Sequence, residues 1–465
     1  MIFETIESEG LAHLSYLLGD EDAGECVVID PRRDVDAYLD AARRESARIT
    51  RVIETHVHAD FVSGSRELAA RTGAPIYTGP GDAYGFPRAA LNEGDTVQVG
   101  GLCLKALRTP GHTPEHISLV VSGGRGAADA WGVFTGDTLF AGEVGRPDLI
   151  GDGTEEELAR RLFHSLHEKL LKLDDGIEVY PAHGQGSPCG GRIGDRKTST
   201  IGYERRHNPR LRTDDPDAFV RELLESLPPA PTYYARLKRM NAAGPMELGC
   251  LRPVPLLDGE RFEAEMHRPG TLVLDTRDGV AFGGAHVPGA INIPLRETFP
   301  IWAGWMLRPE QRFLLVADAE EDAHRVQRHL LRVGLDHLVG SLRRGVREWI
   351  EAGYPFAHIP QMGVHELYDL ISNGHAAELQ VLDVRTDGEW KEGHVPHALH
   401  VFAADLPERL DRLDKSRLVV VYCSTGFRSS IAASVLQRGG FRDVREAPGS
   451  MAAWRAAGLP LECSP

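Results

Sequence analysis

Short apolar runs alternating with helical patterns open the chain. Glu25-Cys26-Val27-Val28-Ile29-Asp30 predicts a strand by its length and β-branched content. Asp34 follows as an expected helix cap, with Val35, Tyr38, Leu39 and Ala42 at helical spacing behind it. Arg51-Val52-Ile53-Glu54-Thr55 predicts the next strand, and the segments 117–121, 131–135 and 177–180 predict three more.

The pattern breaks between about 205 and 255, where Pro228-Pro229-Ala230-Pro231, Gly244-Pro245 and Pro253-Val254-Pro255 interrupt regular structure. A first boundary is expected there. Beyond it the chain repeats itself. Leu274-Asp275-Thr276-Arg277 recurs as Leu382-Asp383-Val384-Arg385, and Gly284-Ala285-His286-Val287-Pro288 as Glu392-Gly393-His394-Val395-Pro396. The segment Trp349-Ile350-Glu351-Ala352-Gly353-Tyr354-Pro355 matches Trp454-Arg455-Ala456-Ala457-Gly458-Leu459-Pro460 at an offset three residues shorter. Copies of this size are domains, not solenoid units. Each reads strand, loop, strand, helix, which suggests a small parallel sheet flanked by helices. The expected domains are 1–250 (with a helical and linker part from about 205), 256–357 and 361–465, the last two joined by His358-Ile359-Pro360.

Composition narrows the function classes. A chain of 465 residues suits about three domains. With 52 basic and 68 acidic side chains, the net charge is −16. That argues against a nucleic-acid binder held by phosphate contacts and against attraction to an anionic membrane. No run approaches the roughly 18 apolar residues of a membrane span. The start, Met1 to Glu7, is acidic where a secretory signal would be basic. Six scattered cysteines (26, 103, 189, 250, 423 and 463) do not form a disulfide framework, so the expected setting is a reducing cytoplasm.

Four segments in the first domain carry metal-binding residue types. Thr55-His56-Val57-His58-Ala59-Asp60 follows a predicted strand. His112 lies in Thr109-Pro110-Gly111-His112-Thr113, Asp137 in Thr135-Gly136-Asp137-Thr138-Leu139-Phe140, and His183 in Tyr180-Pro181-Ala182-His183-Gly184. A lone histidine at a strand end is usually a satisfied loop residue. Four such segments, each at a strand end, point instead to a zinc or iron site.

This ordered set resembles the metallo-β-lactamase superfamily over roughly residues 1–250. The resemblance implies a four-layer αββα sandwich with metal at the sheet edges. The usual superfamily pattern continues His-x-His-x-Asp-His, and here the last position is Phe61. A benzyl group has no lone pair to donate, so a second metal loses a ligand. Two-metal hydrolases such as glyoxalase II use a hydroxide between the ions. The departure therefore favours the mononuclear persulfide dioxygenases, which use non-haem Fe(II). By resemblance, His56, His112 and Asp137 hold one Fe(II) per chain, with zinc as a substitute. His58 and Asp60 would orient these ligands or bound water. His183 would be a polar neighbour or a remnant of the second site. The segment 142–149 also resembles the one that follows the metal aspartate in fusions to rhodanese domains. Cys189, six residues past His183, reads either as a packed small residue or as a redox thiol near the metal mouth.

In the second repeat, Val419-Val420-Val421-Tyr422 runs into Cys423-Ser424-Thr425-Gly426-Phe427-Arg428-Ser429, then a helix with Ile431, Ala432, Val435 and Leu436 on one face and Gly439 at its end. A loop before a helix turns backbone N–H groups inward and would favour an anionic sulfur on Cys423, with Arg428 adding charge. Both copies resemble rhodanese domains, a likeness carried by Asp-x-Arg, Gly-His-Val-Pro or its variant, and the closing tryptophan. Cys-x-x-Gly-x-Arg loops occur in phosphatases too, but this context favours rhodanese. The resemblance implies that Cys423 carries sulfane sulfur, with Arg428 assisting and Ser424, Thr425, Gly426 and Phe427 binding substrate. In the first copy the closing-tryptophan offset places Asp318 at the cysteine position, among Glu320, Glu321 and Asp322. That copy is expected to be inactive.

The expected whole is an α/β and α+β chain: a metallo-β-lactamase αββα sandwich followed by two rhodanese-like α/β domains. It resembles bacterial persulfide dioxygenase–sulfurtransferases of sulfide detoxification. The partners implied are a low-molecular-weight persulfide, O2 and sulfite, with no nucleic acid and no membrane. A homo-oligomer stays open. The alternatives are a glyoxalase II-like thioester hydrolase joined to a sulfurtransferase, and a non-oxidative sulfur-carrier or scaffold protein.

Overall fold

The β-branched runs of the first half pair into two six-stranded sheets. One contains, in order, Ile2–Ser8, His13–Asp20, Glu25–Ile29, Arg48–Ile53, Ile76–Thr78 and Ala89–Ala90. The other contains Ser199–Thr200, Glu178–Pro181, Ala130–Gly136, Ile117–Gly123, Leu102–Arg108 and Thr96–Val99. Alternation along each strand decides the layers. Val27 and Ile29 face inward, where they meet Leu104, Leu119 and Phe134 of the opposite sheet. Val28, on the other face, packs with Tyr38 and Ala41 of the helix Asp36–Arg44 and Leu68 of Ser65–Thr72. Val120, Val133 and Val179 likewise face Leu162 and Leu166 of Glu155–Glu168 and Phe219 of Pro216–Ser226. The result is an αββα sandwich. The computed structural model describes residues 1–124, 129–151, 153–373 and 379–463.

Two local expectations shift. The strand expected at 51–55 spans Arg48–Ile53, because Thr55 leaves the ladder to donate from its N–H to Asp30 Oδ1 at 2.7 Å. Asp34 does not cap the next helix: Val35 holds the cap position without a side-chain bond, and the Asp34 carboxylate pairs with Arg32 at 3.1 Å. The stretch after 205 contains the helices Pro216–Ser226 and Tyr234–Ala243, with the proline cluster between them.

Contacts divide the chain into two compact units, Met1–Leu251 with Leu331–Gly334, and Arg252–Leu330 with Leu335–Pro465. The second unit contains both repeats, each built on a parallel sheet. The first copy orders Leu256–Leu257, Leu338–Leu342, Arg312–Val316, Thr271–Asp275 and Ile291–Asn292. The second orders Leu399–His400, Leu379–Asp383, Leu418–Tyr422 and Val444–Glu446. Register corrects one sequence expectation. Asp275 lies opposite Val316 and Asp383 opposite Tyr422, so the residue equivalent to Cys423 is Ala317, not Asp318. The offset taken from the closing tryptophans misses a one-residue difference between that strand and the chain end. Among the described residues, no helix is long and apolar enough to cross a membrane.

Candidate metal centre and sulfur loop

His56, His112 and Asp137 converge in the first unit, each from a loop at a strand end. Their donor atoms lie within 4.8 Å of one another and all three side chains are buried. The second nitrogen of each imidazole is already committed. His56 Nδ1 bonds to Thr55 Oγ1 at 2.9 Å, and His112 Nδ1 donates to the Arg146 carbonyl at 2.8 Å. Both Nε2 atoms therefore face the Asp137 carboxylate, at 3.6 and 3.4 Å from Oδ2. Among the described residues, His56 Nε2 and Asp137 Oδ2 are buried without a hydrogen-bond partner. Buried polar atoms are normally satisfied, so two orphans aimed at one point fit a bound cation. Two imidazoles and a carboxylate also match the donor set of mononuclear iron sites.

Electrostatics keep the donors ready. Burial, with His58 and His112 adding, pushes His56 well below an ordinary histidine. Burial also lowers His112, although Asp137 pulls the other way. Both therefore present lone pairs at neutral pH. Burial alone would raise the Asp137 carboxyl; His183 and His112 outweigh it and hold it below the usual carboxylate range. Close packing fixes the loops. A Cβ on Gly145 would come within 1.8 Å of the Asp137 carbonyl, and one on Gly136 within 2.5 Å of His116 Nε2.

The remaining predicted residues fall around this cluster. His58 Nε2 lies 3.1 Å from Asp30 Oδ1. His183 bridges two carboxylates, from Nδ1 to Asp137 Oδ1 and from Nε2 to Asp60 Oδ2, each at 2.7 Å. Phe61 is fully buried, with its ring 3.9 Å from that of His13 and 4.4 Å from that of His58. Cys189 is buried, and burial, with Asp60 and Asp137 adding, pushes its thiol well up. Redox-sensing thiols are exposed and anionic, so this position does not support the redox role. Instead, Asp60, His183 and Cys189 form a second buried donor cluster within 4.8 Å.

Several supporting residues escaped the sequence reading. His116, pushed down to about 3 by burial and then by His112, accepts from the Asp137 N–H at 3.0 Å. Glu115 accepts from the Val57 N–H at 2.8 Å. Asn241, on the expected linker, donates to the carbonyls of His58 and Phe61. Arg146 clamps Asp148 with two bonds of 2.7 Å and so shapes the loop whose carbonyl orients His112. Arg146 and Asp148 lie in the segment 142–149 singled out by its resemblance; the others carry no local signal beyond their residue type.

In the second unit, Cys423 follows the buried strand Leu418–Tyr422 and precedes the helix Phe427–Arg438. Its sulfur accepts from the Gly426 N–H at 3.1 Å, and Gly426 has φ +114°, a conformation that suits glycine. Cys423 Sγ also lies 3.7 Å from Ser429 Oγ, which donates to Glu446 at 2.7 Å. Burial pushes the Glu446 carboxyl up to about 7. Arg428 lies close enough to feel the Cys423 charge, and its guanidinium is also held by Glu389 at 2.6 and 2.7 Å and by Ser424 Oγ at 2.7 Å. Thr425, Gly426 and Phe427 line a cavity beside the loop, while Ser424 donates to Glu389 at 2.5 Å.

A sandwich with histidines and aspartates at its strand ends, followed by two parallel-sheet repeats, defines a metal-binding α/β protein of fused domains. Comparison sharpens this. The family described as Metallo-beta-lactamase superfamily matches residues 9–183, and Rhodanese-like domain matches 258–352 and 363–457. A persulfide dioxygenase ETHE1, mitochondrial, of Bos taurus is 31% identical over 211 residues, covering 42% of this chain and 70% of that protein. A probable metallo-hydrolase of Burkholderia pseudomallei is 33% identical over 233 residues, covering 43% and 76%. The crystal structure of a metallo-beta-lactamase from Staphylococcus aureus subsp. aureus COL is similar with a TM-score of 0.65 at 33% identity, over 74% of this chain and 98% of that one. The chain belongs to the metallo-β-lactamase superfamily, with homology to ETHE1 persulfide dioxygenases, and carries two rhodanese-like domains.

Proposed function

We propose that the protein is a non-haem iron persulfide dioxygenase coupled to rhodanese sulfur transfer. The reading rests on one observation above others: two imidazoles and one carboxylate share a buried point, while Phe61 stands where a second metal's imidazole is expected. His56, His112 and Asp137 would hold one Fe(II), which when bound supplies open positions for O2 and a persulfide sulfur. Thr55 and the Arg146 carbonyl fix the two ring orientations, and His183 holds the remaining carboxylate oxygen of Asp137. A persulfide, O2 and water give the parent thiol, sulfite and two protons. Cys423 takes sulfane sulfur from a second persulfide, forming its own S–S bond and releasing the carrier thiol. Sulfite then attacks the outer sulfur, giving thiosulfate and restoring the Cys423 sulfur. On this reading the domains are 1–250, 256–357 and 361–465, with the middle one inactive.

Metal analysis of anaerobically purified protein, followed by O2 uptake with a low-molecular-weight persulfide, tests the reading. One iron per chain and stoichiometric uptake are expected. Two tightly bound metals and no uptake would overturn it. The Asp60, His183 and Cys189 cluster favours that second outcome, a metal-dependent thioester hydrolase of the glyoxalase II kind.

A further inference from the structure

The two repeats enclose a cavity of about 160 Å³ beside the Cys423 loop. Its wall is shared: Asp278, Pro294 and Arg296 come from the first copy, and Gly426, Phe427 and Glu446 from the second. Gly426, which lines the cavity, is the residue whose N–H reaches the Cys423 sulfur, so one wall residue touches the reacting atom. At ~30 Å³ per water, it has room for about five waters, a size that suits a small oxyanion.

Contacts between the copies hold this wall in place. Ser434 Oγ accepts from the Asn292 N–H at 3.0 Å, and His286 Nε2 meets Gln437 Oε1 at 2.7 Å. Trp302 packs against both Phe402 and Phe427. A Cβ on Gly279 would meet that of Ser430 at 2.7 Å. The first copy is thus seated closely on the helix that begins at the sulfur loop.

Charge assigns the cavity its ligand. The loop's own cation, Arg428, is committed to Glu389. Among the described residues lining the cavity, Arg296 is the only cation, and it sits over the Phe427 ring at 5.7 Å. Its partner is Asp278 at 2.7 Å, and both side chains are about half exposed. Such a pair is weak and screened by solvent, so a dianion can compete for the guanidinium. We infer that the inactive copy supplies the anion-binding wall of the Cys423 site, with Arg296 receiving the oxyanion end of thiosulfate or sulfite. The inference rests on the proposed sulfurtransferase reading and gives the first copy a role that needs no thiol. In the step it serves, the Cys423 thiolate attacks the outer sulfur of thiosulfate. The Cys423 S–S bond forms, the thiosulfate S–S bond breaks, and sulfite leaves with the bonding electron pair.

The test uses the full chain with thiosulfate as donor and cyanide as acceptor. Arg296→Gln should raise KM for thiosulfate by about five- to tenfold, more than it lowers kcat, as expected for a lost charge-assisted contact. Arg296→Lys should recover most of that loss. Asp278→Asn should lower KM, because Arg296 loses its competitor. Added salt should weaken thiosulfate binding more in the wild type than in Arg296→Gln. An unchanged KM in Arg296→Gln would overturn the inference, as would Arg296→Lys behaving like Arg296→Gln. Mass spectrometry of Cys423 separates the two levels. If wild-type Cys423 acquires no sulfur from thiosulfate, the sulfurtransferase reading itself fails. If it acquires sulfur while KM ignores Arg296, only the inference fails.

Discussion

The two repeats of the second unit share their framework and differ around the sulfur loop. In each, a buried aspartate at a strand end holds an arginine two residues on: Arg277 Nη2 donates to Asp275 at 2.6 Å and Arg385 Nη2 to Asp383 at 2.7 Å. Each arginine also donates to the carbonyl just before the histidine, Ala285 or Gly393, at 2.8 Å. Each histidine stacks on an aromatic ring, His286 on Phe282 and His394 on Trp390. The closing tryptophans, Trp349 and Trp454, donate to the carbonyls of Pro355 and Pro460. The loops diverge. Cys423 corresponds to Ala317, and sheet register places Ser341 where the second copy has Glu446. Glu389, which neutralises Arg428, lies six residues past its clamp aspartate, where the first copy has Ala281. Framework and chemistry are thus separable. The clamps persist because a buried charge without its partner is costly, whereas nothing in folding requires the thiol.

The largest expected effect comes from removing the chemistry and leaving the framework. Cys423→Ser should cut sulfur transfer by roughly a thousandfold or more, since a hydroxyl holds no stable persulfide. O2 uptake with persulfide should persist, because the metal ligands belong to the other unit. The early product should shift from thiosulfate towards sulfite. Loss of O2 uptake, with metal content and folding intact, would mean that sulfur reaches the metal through Cys423.

The converse experiment breaks the framework. Asp275→Ala and Asp383→Ala each strand a buried guanidinium, at a cost of about 3–5 kcal/mol. Urea unfolding followed by tryptophan fluorescence should show comparable losses in the two variants. A marked asymmetry would show that the copies do not rely equally on this clamp.

This division also explains what the sequence revealed. The candidate metal residues were legible because each stands within four residues of a strand end, and a strand end fixes position with few free torsions. The repeats were legible because their clamps need the same residues in both copies. The cluster of Cys189 with Asp60 and His183 was not legible because these residues meet only once the chain is folded. The Glu389 partner of Arg428 was not legible because it lies on another helix far back in the chain. Arg296 carried no signal at all, since its relation to the sulfur loop exists only once the copies are packed together.

A smaller effect should follow from pH. Glu446 lines the cavity, bonds Ser429, and is raised by burial and then by Asp278 to about 7, from 4.5. Below that value the carboxyl is neutral and tolerates an anion. Above it, the new charge should raise KM for thiosulfate by about two- to fivefold. The folded state also binds the extra proton between these two values, so stability declines as pH rises through that window. Glu446→Gln should flatten both profiles. A wild-type KM that stays level across pH 6 to 8, roughly a unit either side of the shifted value, would remove this carboxyl from the argument.

The smallest expected effect is the most direct test of the comparison. Ala317→Cys, made in the Cys423→Ser background, restores a thiol at the register-equivalent position of the first copy. Transfer should remain near the Cys423→Ser baseline. In the second copy, the Gly426 N–H meets the sulfur from a backbone conformation that favours glycine. The first copy instead continues Asp318-Ala319-Glu320-Glu321-Asp322, with no glycine and four acids to repel an anionic donor. The base of the second copy's Ser429–Glu446 pair is also missing, since Ser341 occupies that place. The measurement is thiosulfate-to-cyanide transfer, with mass spectrometry of the new cysteine. Recovery of more than about a tenth of wild-type turnover, a deficit of under about 1.4 kcal/mol, would show that the thiol alone was missing. The loop differences would then be consequences of an idle site and not the reason for it.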